Sequence, residues 1–187
     1  MRRTVKTSVS HPLRIAAIVS GVSGSGRVGV TFCPGKHDPY AMSGAWHRDL
    51  ALDLDAIRDW GAAAIVTLVE PEELMLLKVE RLGAEVLRRN MAWFHLPIVD
   101  RSIPDKRFEE KWDTAGAELR SLLRNGCDVL VHCRAGLGRA GTIAARLLIE
   151  LGMAPETATT RVRAVRPGAI ENRAQEAYVL AVASAQD

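Results

Sequence analysis

The sequence predicts an α/β protein with a central, mostly parallel mixed sheet of about five strands flanked by helices. Three observations carry this. Apolar runs of strand length alternate with stretches of helical periodicity over most of the chain. Two of the runs, "AAIVTLV" at 63–69 and "DVLVHC" at 128–133, read as strands covered on both faces. The chain has 187 residues, 48% hydrophobic and 25% charged, which suits one domain around one core.

Residues 1–12 are polar and basic and are expected to be loosely ordered, with 13–187 forming a single domain. The first apolar run is short, begins after Pro12 and contains Arg14. No cleavage signal follows, and no stretch approaches the roughly 20 apolar residues of a membrane span. A cytoplasmic protein is the expectation. "RIAAIV" (14–19) and "RVGVTF" (27–32) read as strands joined into a hairpin by "SGVSGSG", and "CPGKH" ends the pair. Leu50, Leu54 and Ile57 recur at helical spacing up to a stop at Gly61. The strand at 63–69 follows. Pro71 then opens one helical region, and "VERLGAEVLRRN" (79–90) continues as another. The next strand lies within "MAWFHLPIV" (91–99).

Pro104 and Asp105 begin a long amphipathic helix whose apolar face is Phe108, Trp112, Ala115, Leu119 and Leu122, ended by Gly126. The strand at 128–133 leads to "TIAARLLIEL" (142–151), apolar nearly all round and therefore a buried helix. Two more helices are expected at about 155–165 and 171–185.

Composition narrows the partners. A formal net charge of +3 with Lys and Arg interspersed among acids gives no basic stripe, so no nucleic-acid partner is expected; an anionic substrate would still be attracted. The three cysteines, Cys33, Cys127 and Cys133, are too few and odd in number for a disulfide framework. Placed on one strand, Cys127 and Cys133 would stand about 20 Å apart, beyond disulfide reach. No spacing suits a metal site, and neither metal nor cofactor is expected.

"VHCRAGLGRAGT" (131–142) runs off the carboxyl end of a strand into a helix, where α/β sheets bind ligands. Gly136, Gly138 and Gly141 let backbone N–H groups line an anion nest. The helix N-terminus favours negative charge, and the Arg139 fork can take two phosphate oxygens. The same field favours a thiolate at Cys133, a nucleophile for phosphoryl transfer. A cysteine ending a buried strand is usually a small core residue, and a Gly-rich turn is usually only a connection. Strand end, cysteine, glycines, arginine and helix start coincide here, which decides for a site. No G-K-[ST] ending is present, so this is not a nucleotide-hydrolase loop.

"HCRAGLGR" matches the H-C-x5-R signature of cysteine-dependent protein phosphatases, and the wider chain resembles their dual-specificity branch. "TFCPGK", "RDLALDLDAIRDWGAAAIVTLVE", "LPIVDRSIPD" and "RPGAIENRAQEAYV" extend the resemblance to roughly residues 28–183. It implies that Cys133 attacks phosphorus to form a phosphocysteine. Arg139 and the backbone N–H groups of Arg134, Ala135, Gly136, Leu137, Gly138 and Arg139 would hold the phosphate. His132 would tune the thiolate by hydrogen bonding. The substrate would be a phosphorylated protein, with pTyr, pSer and pThr all accepted, or a small phosphorylated molecule such as an inositol or lipid phosphate. A slow-turnover phospho-binding module, or another thiol enzyme, stands as the alternative.

Two aspartates compete as general acid. Asp105 precedes a helix and suits an N-cap; Asp100 has no helix to cap, and the family pattern also favours it. Glu171 and Gln175 match positions where relatives carry water-positioning glutamines, or else are polar residues on the first turns of an exposed helix. Arg134 reads as an extra cation in the cup or as a solvated rim charge. Cys33 reads as a resolving thiol or a buried structural one. Ala140 stands where most relatives carry Ser or Thr, which predicts slow phosphoenzyme breakdown.

Overall fold

The computed structural model describes residues 4–182. A hairpin of β1 (Ala16–Val19) and β2 (Arg27–Phe32) opens the main sheet. A two-stranded ribbon follows, β3 (His37–Asp38) and β4 (Trp46–His47), which no sequence signal announced. Strands of two residues are too short to show a period. Helix α1 (Leu50–Trp60) is capped by the Asp49 carboxylate, which accepts from the Leu52 amide, and ends at Gly61 with φ 105°. That left-handed turn is one glycine reaches without strain.

Strand β5 (Ala62–Thr67) is followed by α2 (Pro71–Leu76), α3 (Leu82–Leu87) and β6 (Ala92–His95). Helix α3 is shorter than the expected 79–90, because the backbone turns left-handed at Lys78 and Asn90. Then come α4 (Lys106–Arg124), β7 (Asp128–Cys133), α5 (Gly138–Glu150), α6 (Pro155–Val165) and α7 (Arg173–Ala181). Cys127 lies just before β7, its amide closing the α4 end on the Leu122 carbonyl.

The five-stranded sheet has the order β1-β2-β7-β5-β6, parallel except for the β1–β2 hairpin. Strand β7 is central, and Val129 to Cys133 are all buried. Helix α5 packs on β2 and β7 with α4, α6 and α7 around it, while α1 and α3 pack on β5 and β6. One contiguous hydrophobic core runs through these contacts. No helix among the described residues is long and apolar enough to cross a membrane.

Three further boundaries differ from expectation. Helix α5 begins at Gly138, not 142, so Arg139 sits in its first turn. Helix α7 begins at Arg173, not 171, because the Asn172 side chain caps it by accepting from the Gln175 amide; 183–185 lie outside the described residues. The expected loose N-terminus is docked from Lys6 onward, with 1–3 outside the described residues. Lys6 bonds through its backbone to Ala45 and His47, continuing the edge of β4. Buried Arg48 donates to the His11 carbonyl at 2.8 Å, an acceptor its desolvated guanidinium needs.

Candidate active site

The sheet's strand order brings the carboxyl ends of β2, β5 and β7 together, and the loop after β7 lies across them. Cys133 ends β7, 3% exposed. The chain then turns through 134–137 into α5. Gly136 takes φ 69°, and a Cβ there would stand 2.4 Å from the Thr31 carbonyl carbon on β2. At Gly138 a Cβ would meet Glu171 Oε1 at 2.1 Å and Gln175 Nε2 at 2.9 Å. Glycine is thus required here by close packing as well as by conformational freedom.

Three consecutive loop carbonyls are held by cations. Lys36 Nζ donates to the Arg134 carbonyl at 3.1 Å. Arg166 donates from Nη2 to the Ala135 carbonyl and from Nε to the Gly136 carbonyl, both at 2.9 Å. Among the described residues no protein acceptor takes the amides of Arg134, Ala135, Gly136 or Leu137. Those donors remain for an anion at the N-terminus of α5.

Arg139 is almost fully buried. It forms a two-pronged pair with Glu73 of α2, Nη1 to Oε2 at 2.5 Å and Nη2 to Oε1 at 2.9 Å. Nη1 also donates to the Ile98 carbonyl at 2.9 Å, and Nη2 reaches Asp100 Oδ1 at 2.9 Å. Burial works against the Arg139 charge, but the Glu73 hydrogen bonds and the fields of Cys133 and Asp100 outweigh it and raise its proton affinity. Burial likewise pushes the Glu73 carboxyl up, yet hydrogen bonds from Arg139 and the Glu70 amide hold it below the usual carboxylate range.

Asp100 lies at the mouth of the cup on the loop after β6. That loop is tied to the α7 region by Asn172 Nδ2 on the Arg101 carbonyl at 2.8 Å and Gln175 Nε2 on the Ser102 carbonyl at 3.3 Å. Asp105 instead caps α4, accepting from the Phe108 amide at 2.9 Å. Asp105 thus caps a helix, as its position in the sequence suggested, and Asp100 contacts Arg139.

His132 is fully buried, and its Nε2 pairs with Thr67 Oγ1 at 2.8 Å. Trp93 Nε1 donates to the same hydroxyl at 2.9 Å. Nδ1 has no well-formed partner, so the expected hydrogen bond to the thiolate is absent. Burial, opposed by the Cys133 backbone, pushes this imidazole down to about 3, so it is neutral.

Arg134 departs from the solvated rim charge that its type suggests: it forms a two-pronged pair, 3.0 Å on each arm, with buried Asp38 of β3. Gln175, considered for the first turn of an exposed helix, is wholly buried, with Oε1 accepting from the Glu171 amide at 3.0 Å. Glu171 precedes α7 and lines the cleft beside Gly138. Cys33 is buried, and burial raises its thiol well above the ordinary value. The Thr142 hydroxyl donates to the Gly138 carbonyl at 2.8 Å, so it cannot stand in for the hydroxyl missing at buried Ala140.

The cleft over the cup encloses about 630 Å³ and extends to the β3–β4 ribbon, where Tyr40 and Met42 are exposed. Among the described residues, no group of three or more His, Cys, Asp or Glu clusters as metal donors do. Glu73, Lys36, Asp38 and Arg166 escaped the sequence reading. Lys36 and Glu73 did carry a signal: each follows the carboxyl end of a strand that flanks β7.

The family model "PTP-SAK: Swiss Army Knife protein, DSP-PTPase phosphatase domain" matches residues 38–179, which include the whole cup. The chain belongs to this phosphatase family. Cyclin-dependent kinase inhibitor 3 of Rattus norvegicus is 30% identical over 135 residues, covering 71% of this chain and 62% of that protein. The match therefore spans less than two thirds of that relative's length. A phosphatidylglycerophosphate phosphatase of Arabidopsis thaliana, PTPMT1, is 29% identical over 127 residues, covering 66% of this chain and 35% of that protein. Among solved structures, a kinase associated phosphatase with serine replacing its catalytic site cysteine superposes with a TM-score of 0.77. It is 25% identical, and the match covers 90% of this chain and 92% of that one. Within the DSP-PTPase family the catalytic chemistry is that of a cysteine-based hydrolase, and Cys133 occupies the cysteine position of the family signature.

Proposed function

We propose that the chain hydrolyses phosphomonoesters through a phosphocysteine, with phosphotyrosyl, phosphoseryl and phosphothreonyl proteins as substrates. The observation that carries this reading is the cup in which Cys133, Arg139 and Asp100 meet the loop 134–137, whose amides have no protein acceptor among the described residues.

Cys133 Sγ attacks phosphorus, the S–P bond forms and the P–O bond to the leaving group breaks. Asp100 gives its proton to the departing oxygen. Arg139 and the loop amides hold the equatorial oxygens, where charge is carried in the transition state. Asp100 lies 2.9 Å from Arg139 Nη2; a phosphate dianion competes for that guanidinium and leaves the carboxyl to face the leaving group. In the second step water attacks phosphorus, Asp100 accepts its proton, and the S–P bond breaks to return the thiolate. Glu171 and Gln175 would bound the space for that water. A cytoplasmic setting agrees with the reduced thiol this chemistry needs.

A lipid phosphate is the second reading, favoured by exposed Tyr40 and Met42 at the cleft mouth and by the phosphatidylglycerophosphate phosphatase relative. Phosphate release from phosphotyrosyl, phosphoseryl and phosphothreonyl peptides and from phosphatidylglycerophosphate micelles separates the two. The protein-phosphatase reading expects turnover of all three peptides; turnover of the micellar lipid alone would replace it with the lipid reading.

A further inference from the structure

The charge around the cup does not balance as its motif suggests. Arg139, the cation of the signature, touches two carboxylates, Glu73 and Asp100. Arg134, the other cation in the loop, is matched by Asp38. Glu171 adds a fourth carboxylate, on the cleft wall over Gly138. The guanidiniums of the loop are therefore met or exceeded by the acids around them. A thiolate or a phosphate dianion placed there needs positive charge from elsewhere.

Three cations lining the cleft have no carboxylate within 4 Å among the described residues: Lys36, Arg101 and Arg166. Arg101 is exposed, where solvent and salt screen its charge. Lys36 and Arg166 bond to main-chain carbonyls of the cup loop. Arg166 is partly exposed, so solvent and salt screen it. Lys36 is 3% exposed, where a charge acts at a lower effective dielectric. Its ammonium lies over the Phe32 ring at 5.0 Å and the Trp46 ring at 5.5 Å, which shield it from water and favour a cation.

We propose that Lys36 is a positioning residue of the cup. Its ammonium, held against the Arg134 carbonyl, turns that peptide so that its neighbours' amides face inward, and it supplies a buried, unmatched positive charge to the surroundings of Cys133. The groups facing Lys36 are Asp38 of β3, Cys33 after β2, and Arg134 and Cys133 of the loop. Those facing Cys133 are Lys36, Cys33, Arg139 and Arg166. Burial disfavours the Lys36 charge, and Asp38 and the two thiols restore part of it. Asp38 thus has an opposing part: it steadies Lys36 and Arg134 but offsets their field at the sulfur.

This inference rests on Cys133 being the nucleophile, and the experiment keeps the two claims apart. The rate of Cys133 alkylation by iodoacetamide at pH 6 is measured for wild type, K36M, K36R and D38N, with the labelled peptide assigned by mass spectrometry. Hydrolysis of p-nitrophenyl phosphate is followed on the same samples. K36M is expected to alkylate about tenfold more slowly, the effect of removing one nearby charge, and K36R to recover most of the loss. D38N is expected to alkylate faster than wild type. A disordered cup would move K36M and D38N in the same direction, so opposite signs are the mark of a field effect. Wild-type alkylation in K36M, or a slower rate in D38N, would overturn the role of Lys36 while wild-type hydrolysis still supported the phosphatase. A wild type that neither labels at Cys133 nor hydrolyses the ester would overturn both.

Discussion

Glu73 and Arg139, 66 residues apart in sequence, are joined by two parallel hydrogen bonds that fix the plane of the guanidinium in the cup. Helix α2 follows β5 and α5 follows β7, so adjacency of those two strands brings the pair together. Glu73→Gln keeps the shape but loses the charge-assisted pair, and a fall in kcat/KM of about tenfold is expected, read from phosphate release. The pair also links stability to pH. Because the folded Glu73 carboxyl is held below its unfolded value, its contribution is present above about pH 4.3 and is lost as pH falls through the folded value. Thermal melts between pH 7 and pH 3 should show a smaller loss for Glu73→Gln than for wild type.

His132 gives a second pH signature. Its folded proton affinity is pushed down to about 3, against about 6.5 unfolded, so the unfolded chain binds the extra proton between those values. Stability is fully present above about pH 6.5 and falls as pH drops toward 3. His132→Asn should flatten the melting temperature over that window. An equal slope in both proteins would show that His132 does not titrate with unfolding.

The side chain of Ala140 carries no hydroxyl, and that of Thr142 is engaged by the Gly138 carbonyl, so slow phosphoenzyme breakdown is expected. Stopped-flow hydrolysis of p-nitrophenyl phosphate should show a burst followed by a slower steady phase. Ala140→Ser should speed the steady phase and shrink the burst. Burst-free wild-type kinetics would count against slow phosphoenzyme breakdown.

Gly136 is fixed by two demands at once, a left-handed backbone and a Cβ position 2.4 Å from Thr31. Gly136→Ala should cost at least about 2 kcal/mol in urea unfolding, from strain and overpacking together, and should open the cup. A loss below about 0.5 kcal/mol would mean that β2 and the loop can part easily.

Local signals made much of this molecule legible. The hairpin, the Asp105 cap, the Gly61 stop and the central strand are written in adjacent residues. Asp100 was separable from Asp105 because capping is a local job. The β3–β4 ribbon and the docked N-terminus were hidden, since neither has a period and both depend on partners up to 41 residues away. The charge partners of the cup were hidden for the same reason: Lys36 and Asp38 meet Arg134 across 98 and 96 residues. Gln175 left two readings open because a polar residue on a first turn is usually solvated; the structure buries it, and its Nε2 donates to the Ser102 carbonyl on the loop that carries Asp100.

The most direct test of the central claim is phosphate release from p-nitrophenyl phosphate, without added metal, by wild type, Cys133→Ser and Asp100→Asn across pH. The account predicts turnover by wild type, none by Cys133→Ser, and loss of the basic limb of the profile in Asp100→Asn. Wild-type rates in Cys133→Ser would contradict it, because the sulfur would then form no bond to phosphorus.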